Sequence, residues 1–290
     1  MSFFILSIVF ILVPFSSAFA WGPGVHSLIS LSILDSLNKI SSQVASVIQA
    51  FPYEFLWGCI SADIVIAKRF SNWDIHPHNW NVILNIFNQV KSDLQLSFLY
   101  GYIAHLSSDV VAHNFFIPET IIRNFHWRGA LHIKLEAQAE REVPHSVWSK
   151  MKDAIAGCKR EECDLLLEKN LRGTIIPSVK LNKLIYLRML KIEMSKNLFI
   201  KERNSNVNNN NINFDWYFDF SKRIAFDVLS RLEDSEFIKI DPTGTRPIEV
   251  STVIRKVMLS LSKKNKILTD DIKKFLRILR EFQPNIVFND

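Results

Sequence analysis

The most constraining feature of the chain is the run YGYIAHLSSDVVAHNFF at residues 100–116, which spaces His105, Asp109 and His113 four residues apart. Its remaining residues are mostly apolar and suit a buried helix. At 3.6 residues per turn the three side chains share one face, with His105 and His113 roughly 12 Å apart along the axis. One metal ion cannot easily take both histidines, but the two oxygens of Asp109 can serve an ion on each side. The run predicts a buried helix with ligands for neighbouring ions.

A second pair with the same spacing follows in LHIKLEAQAE, where His132 and Glu136 are ligand types that zinc accepts. Either pair alone is more often a surface contact between a histidine and a carboxylate. However, all eight histidines fall between His26 and His145. Two pairs in this crowded half, together with His26, favour a metal site.

Further candidates lie upstream of the helical run. Asp63, in WGCISADIVIAK, follows an apolar stretch where an unpaired carboxylate is costly, which indicates a charged partner, although a lone aspartate there is more often a helix N-cap. His76 and His78 flank Pro77, so this segment is predicted to be extended. We expect one of these two histidines to be a ligand and the other to be peripheral.

The first twenty residues, MSFFILSIVFILVPFSSAFA, carry no charge and end in the small-x-small pattern of a signal-peptidase site. Cleavage there makes Trp21 the N-terminus, and its free amine and carbonyl oxygen can together bind zinc. We therefore expect a secreted or periplasmic protein. The segment has no Lys or Arg, so an uncleaved anchor, which would leave Trp21 in mid-chain, is the alternative.

Apolar residues recur every three or four positions along nearly the whole chain, and strand-like alternation is scarce, which predicts an all-α fold. After the signal segment no uncharged apolar run approaches 18 residues, so no membrane span is predicted for the mature form.

The three cysteines allow at most one internal bridge, between Cys158 and Cys163, and Cys59 is predicted to be a buried thiol. Helices are predicted near 25–50, 81–96, 98–116, 129–142, 146–157, 179–200, 214–233, 247–262 and 269–281.

Charge is uneven along the chain. The first 145 residues carry 8 Lys and Arg against 10 Asp and Glu, whereas the rest carry 27 against 19. The basic half fits a surface that approaches anionic lipid or a nucleic-acid backbone, and it also fits an ordinary solvated surface. Between its first two predicted helices, the tract NSNVNNNNIN is typical of a solvent loop.

Taken together, these residues resemble the nine-residue, three-zinc constellation of bacterial zinc-dependent phospholipases C and the related single-strand-specific nucleases. The phrases WGPGVH, YGYIAHLSSDVVAHNFF and the HxxxE pattern are close to the phospholipase C branch, over about residues 21–145. We therefore expect a signal peptide over 1–20, a three-zinc helical domain over 21–165 and a helical, basic extension over 166–290. The resemblance implies three zinc ions: one held by Asp63, His78, His105 and Asp109, a second by His113, His132 and Glu136, and a third by Trp21, His26 and the bridging Asp109.

The resemblance also implies a reaction, which is hydrolysis of a phosphodiester by metal-activated hydroxide. The expected substrate is phospholipid at a membrane surface, giving diacylglycerol and a phosphorylated head group. Asp63 is expected to act as a base or as a ligand, and His78 is preferred over His76. Alternatives are a three-zinc nuclease acting on nucleic acid and a non-catalytic, zinc-stabilised membrane-associated protein. No protein partner is predicted, and His126 and His145 are expected at the surface.

Overall fold

The computed structural model describes residues 21–65, 73–126, 131–171, 179–199, 212–263 and 269–286, and the predicted signal segment lies outside them. Within these residues all regular structure is helical, which confirms the all-α prediction. No helix among them is both long and apolar enough to cross a membrane. In chain order the α-helices are α1 (Pro23–Leu34), α2 (Ser42–Ala50), α3 (Pro52–Ser61), α4 (Trp80–Phe87), α5 (Asp93–Val111), α6 (Ile117–Arg123), α7 (Leu131–Arg141), α8 (His145–Gly157), α9 (Arg160–Asn170), α10 (Val179–Phe199), α11 (Phe214–Arg231), α12 (Thr245–Ser262) and α13 (Thr269–Arg280).

Helix α5 carries the His105–Asp109 pair and is almost completely buried, because neighbouring helices pack around it. Its closest neighbour is α3, and glycines permit their approach. A Cβ atom on Gly58 would overlap the carbonyl of Phe98, and one on Gly101 would overlap the carbonyl of Phe55. Since both obstacles are backbone atoms, neither can move aside cheaply. The two glycines thus bring the end of α3 against the face of α5 that carries His105 and Asp109.

Local sequence explains where several helices begin. Pro23 and Pro52 lie in the first turns of α1 and α3, where a missing N–H is harmless. Helix α5 begins after Ser92, whose hydroxyl accepts a hydrogen bond from the backbone of Gln95. At the other end of α5 the helix widens into a π-helical turn at Ala112–Phe116. Such turns are rare and frequently mark functional sites.

The C-terminal helices pack onto the same core as the first half. Helix α11 lies along α5, and its Phe218 packs edge-on to Trp21, which in turn stacks on Phe116 of the π-turn. A smaller apolar cluster joins α6 to α12 and α13. The predicted division at residue 165 stays a prediction, but residues from both sides of it share the main core.

Some predicted boundaries differ from those observed. The helix predicted over 25–50 is two helices, because the chain turns after Leu34 through a short 3-10 segment at Leu37–Lys39. Helices α3, α6 and α9 were not predicted. All three are short, and the apolar end of α3 resembles a buried strand as much as a helix. All three cysteines are free and buried, as predicted for Cys59.

Candidate metal centre

Asp109 lies at the centre of a buried group of histidines. Its Oδ2 atom is 3.0 Å from Nε2 of His78 and 3.2 Å from Nε2 of His105. Its Oδ1 atom is 3.5 Å from Nε2 of His26. Asp63, which follows α3, reaches the same place, with Oδ1 3.4 Å from Nε2 of His78. Histidine nitrogens and carboxylate oxygens converge here as a divalent-cation site requires.

A backbone carbonyl of α3 holds His105 in one tautomer. Its Nδ1 atom lies 2.6 Å from the carbonyl oxygen of Cys59. A carbonyl can only accept, so Nδ1 carries the proton and Nε2 keeps its lone pair. The Nε2 atoms of His105 and His78 are only 3.2 Å apart. Both nitrogens therefore face the space shared with Asp109, and the one on His105 presents its lone pair there.

The same argument applies to His26 on α1, through one serine. The hydroxyl of Ser108 donates to the carbonyl oxygen of His105 at 2.8 Å, which uses its only proton. It must then accept the hydrogen bond from Nδ1 of His26 at 2.9 Å. Nε2 of His26 is left deprotonated and buried, and no hydrogen-bond partner for it occurs among the described residues. A buried nitrogen that has a lone pair, no hydrogen-bond partner and a carboxylate beside it is suited to bind a metal ion.

Electrostatics match this arrangement. Burial lowers the pKa of His26 to about 3, assisted by the nearby His105, so this imidazole is neutral at ordinary pH. Burial alone would raise the pKa of Asp109, but the neighbouring imidazoles of His105 and His113 hold it well below its usual range. The neutral imidazole of His26 and the ionised carboxylate of Asp109 are in the protonation states that bind zinc.

The second predicted ligand set is described only in part. His113 lies in the π-turn, with Nδ1 4.0 Å from Oδ1 of Asp109 and 2.7 Å from the carbonyl oxygen of Pro242. The backbone of His132 belongs to α7, but its side chain lies outside the described residues. Glu136, one turn further along α7, is partly buried. The grouping of these three ligands stays a prediction.

His76, His126 and His145 do not belong to the groups of potential metal ligands among the described residues. His76 is buried but stacks on Trp73, and its Nδ1 atom accepts a hydrogen bond from the backbone of His78. Of the two candidates in this segment, the structure thus brings His78 to Asp109 and leaves His76 outside. His126 and His145 are exposed, as expected.

Trp21 is completely buried, and a residue that the sequence analysis missed holds the chain beside it. The carboxylate of Glu140, on α7, accepts hydrogen bonds from the backbone N–H groups of Gly24 at 3.0 Å and Val25 at 2.9 Å. It thereby caps the first turn of α1 and fixes the segment between Trp21 and His26. The signal was present in the sequence, because Glu140 continues the four-residue spacing of His132 and Glu136.

The fold and the centre together define a class: an all-helical protein with a buried histidine and aspartate centre suited to zinc. A model of the family described as zinc-dependent phospholipase C matches residues 25–173, slightly more than half of the 290 residues. The chain belongs to the zinc-dependent phospholipase C family, as the resemblance predicted. Comparisons with the curated proteins and with the solved structures gave no match.

Proposed function

We propose that this chain is a zinc-dependent phosphodiesterase that hydrolyses phospholipid to diacylglycerol and a phosphorylated head group. One observation carries the proposal: because Nδ1 donates a hydrogen bond in both His26 and His105, the Nε2 lone pairs of these two residues lie beside the ionised Asp109. Family membership supplies the metal and the reaction class. We further propose three ions, export after cleavage behind Ala20, and a ligand role for the freed Trp21.

The residues that would hold zinc follow from the geometry and the family pattern. Asp63, His78, His105 and Asp109 would form one set, and His26 with Trp21 would share Asp109 in another. His113, His132 and Glu136 would complete the third. When bound, zinc lowers the pKa of a water ligand and neutralises charge that develops on a phosphoryl group.

Among the protein groups, Asp63 is the best candidate to receive a proton. Its Oδ1 atom is 3.4 Å from Nε2 of His78 and 3.9 Å from Nε2 of His105, so it lies at the edge of the imidazole group. It is only 4% exposed, which excludes bulk water and strengthens its electrostatic interactions. Asp63 would orient the attacking water and take its proton, or else bind the metal directly.

The test is a comparison of substrates with purified mature protein in added zinc. Release of phosphocholine or phosphoethanolamine from phospholipid vesicles is the expected result, with little release of nucleotides from single-stranded DNA or RNA. The reverse preference would identify the nuclease alternative. Stable zinc binding without either activity would identify a zinc-stabilised, non-catalytic protein.

Two histidine variants test whether the histidines of the centre, and not histidines in general, are needed for zinc binding and turnover. His105→Ala removes a buried imidazole and should abolish measurable turnover and lower the zinc content. His145→Ala removes an exposed histidine and should change neither. If the two variants behaved alike, the assignment of the centre would be wrong.

A further inference from the structure

The segment Ile240–Thr245, which ends at the first residue of α12, lies against the π-turn that carries His113. The carbonyl oxygen of Pro242 is 2.7 Å from Nδ1 of His113. Because a carbonyl only accepts, Nδ1 must carry the proton and Nε2 is left as the nitrogen available to a metal. This is the arrangement that the carbonyl of Cys59 imposes on His105.

Hydrogen bonds at its start attach this segment to the site helices. The side-chain amide of Asn114 donates a hydrogen bond to the carbonyl oxygen of Asp241 at 2.9 Å. The indole N–H of Trp80 donates one to the carbonyl oxygen of Ile240, also at 2.9 Å. The amide of Asn114 also donates to Val110 on α5. The acceptor for His113 is therefore fixed relative to the helix that carries Asp109.

Hydrogen bonds within the segment also fix its conformation. The carboxylate of Asp241 accepts hydrogen bonds from the backbone N–H and the hydroxyl of Thr243, at 2.8 and 2.7 Å. This Asx-type turn leads to Gly244, which has a left-handed backbone with φ of 55°. A Cβ atom on Gly244 would overlap the backbone carbonyl of His113. Only glycine meets both requirements, the positive φ and the close approach.

We propose that Ile240–Thr245 is a positioning element for His113, supplied from outside the residues that match the family. The family match ends at residue 173, so the segment is contributed by the C-terminal part of the chain. It selects the tautomer of His113 and fixes the direction of Nε2, and zinc affinity depends on it. The proposal rests on the proposed function only in taking His113 as a zinc ligand.

The first test measures zinc affinity, by competition with a chelating dye, in the mature protein and in Gly244→Ala. We expect at least one zinc ion to bind about 10- to 100-fold more weakly in the variant, the usual cost of losing a group that orients a ligand. Gly157→Ala is the matched control, because its added Cβ meets only the side chain of Tyr53, which is exposed and able to move. The control should bind zinc as the wild type does.

If Gly244→Ala does not fold, Thr243→Val serves in its place, since it removes only the hydroxyl that braces the turn. A variant that binds zinc with wild-type affinity would overturn the positioning role. A wild-type protein that binds no zinc would instead overturn the proposed function. The two failures are thus distinguishable without any activity assay.

The second test reads the tautomer of His113 directly. In long-range proton–nitrogen NMR spectra of the zinc-loaded protein, Nδ1 of His113 should carry a proton that exchanges slowly with solvent, and Nε2 should be coordinated. In Gly244→Ala that proton should exchange faster, an effect that general destabilisation would not confine to one histidine. Coordination through Nδ1 in the wild type would overturn the proposal.

Discussion

Replacing Glu140 by alanine should destabilise the protein strongly, although Glu140 was not among the predicted ligands. Glu140 is 7% exposed, and its carboxyl oxygens accept hydrogen bonds from the N–H groups of Gly24 and Val25. These two groups belong to the first turn of α1, where a helix has no internal acceptors for its N–H groups. No other acceptor for them occurs among the described residues.

The magnitude follows from the two bonds. Each buried donor left without a partner costs about 1 to 3 kcal/mol, so the loss of unfolding free energy should be about 4 kcal/mol. For a chain of this size, each kcal/mol lowers Tm by roughly 2 to 4 °C, and the expected shift is about 8 to 16 °C. Because the same segment carries His26, zinc affinity should fall as well.

Urea unfolding of the zinc-loaded protein, followed by circular dichroism, measures this change. Glu142→Ala, two residues further along the chain, removes an exposed carboxylate and should stay within about 0.5 kcal/mol of the wild type. A loss below about 1 kcal/mol in Glu140→Ala would refute the view that this carboxylate holds the start of α1.

The same residue gives a pH prediction. Burial raises the pKa of Glu140 from 4.5 to about 8, against the opposing effect of its two backbone donors. Between about pH 4.5 and pH 8, the folded state therefore keeps a proton that the unfolded state has lost. The free energy of unfolding falls as the pH rises through this window. Relative to Glu140→Gln, which has no charge to lose, the wild type should lose up to about 1.4 kcal/mol of stability per pH unit in that window. Parallel stability curves for the two proteins would contradict the raised pKa.

Further predictions concern the bridge, the N-terminus and the helix contact. Asp109→Asn should lower zinc content at two sites and reduce turnover by orders of magnitude, measured by elemental analysis and vesicle hydrolysis; near-normal turnover would exclude a bridging role. A form that retains Ala20 should fold but lose one zinc ion and most activity, because its amine at Trp21 has become an amide; equal activity would show that the free amine is not a ligand. Gly101→Ala should prevent folding or cost more than about 3 kcal/mol, since its Cβ would overlap the backbone of Phe55, and a stable, active variant would contradict that contact.

Much of the fold was predictable because helical periodicity is a local property. Apolar residues that return every three or four positions predicted the all-α class and the approximate extents of α5, α7, α8 and α10 to α13. The widening of α5 into a π-turn at Ala112–Phe116 was not predictable, because the apolar pattern continues through it unchanged. The break after Leu34 was missed for the same reason.

The residues that meet at the candidate metal centre were also largely predictable. Spacing alone placed His105 and Asp109 on one face, and the structure brings His26, Asp63 and His78 to them. The sequence analysis preferred His78 over His76, but the proline between them left the directions of both side chains undetermined. In the structure Nε2 of His78 lies 3.0 Å from Oδ2 of Asp109, whereas the ring of His76 stacks on Trp73.

By itself, the sequence determined which residue types were available to bind metal and which of them share a helix face. Tertiary structure decided how each ligand is oriented. The acceptors that fix His105 and His113 are backbone carbonyls, of Cys59 and Pro242, and a carbonyl is the same group at every position. Only the folded path of the chain, with the close glycine contacts at Gly101 and Gly244, brings these particular carbonyls to the imidazoles. Ligand identity is thus encoded locally, whereas ligand direction comes from contacts between distant segments.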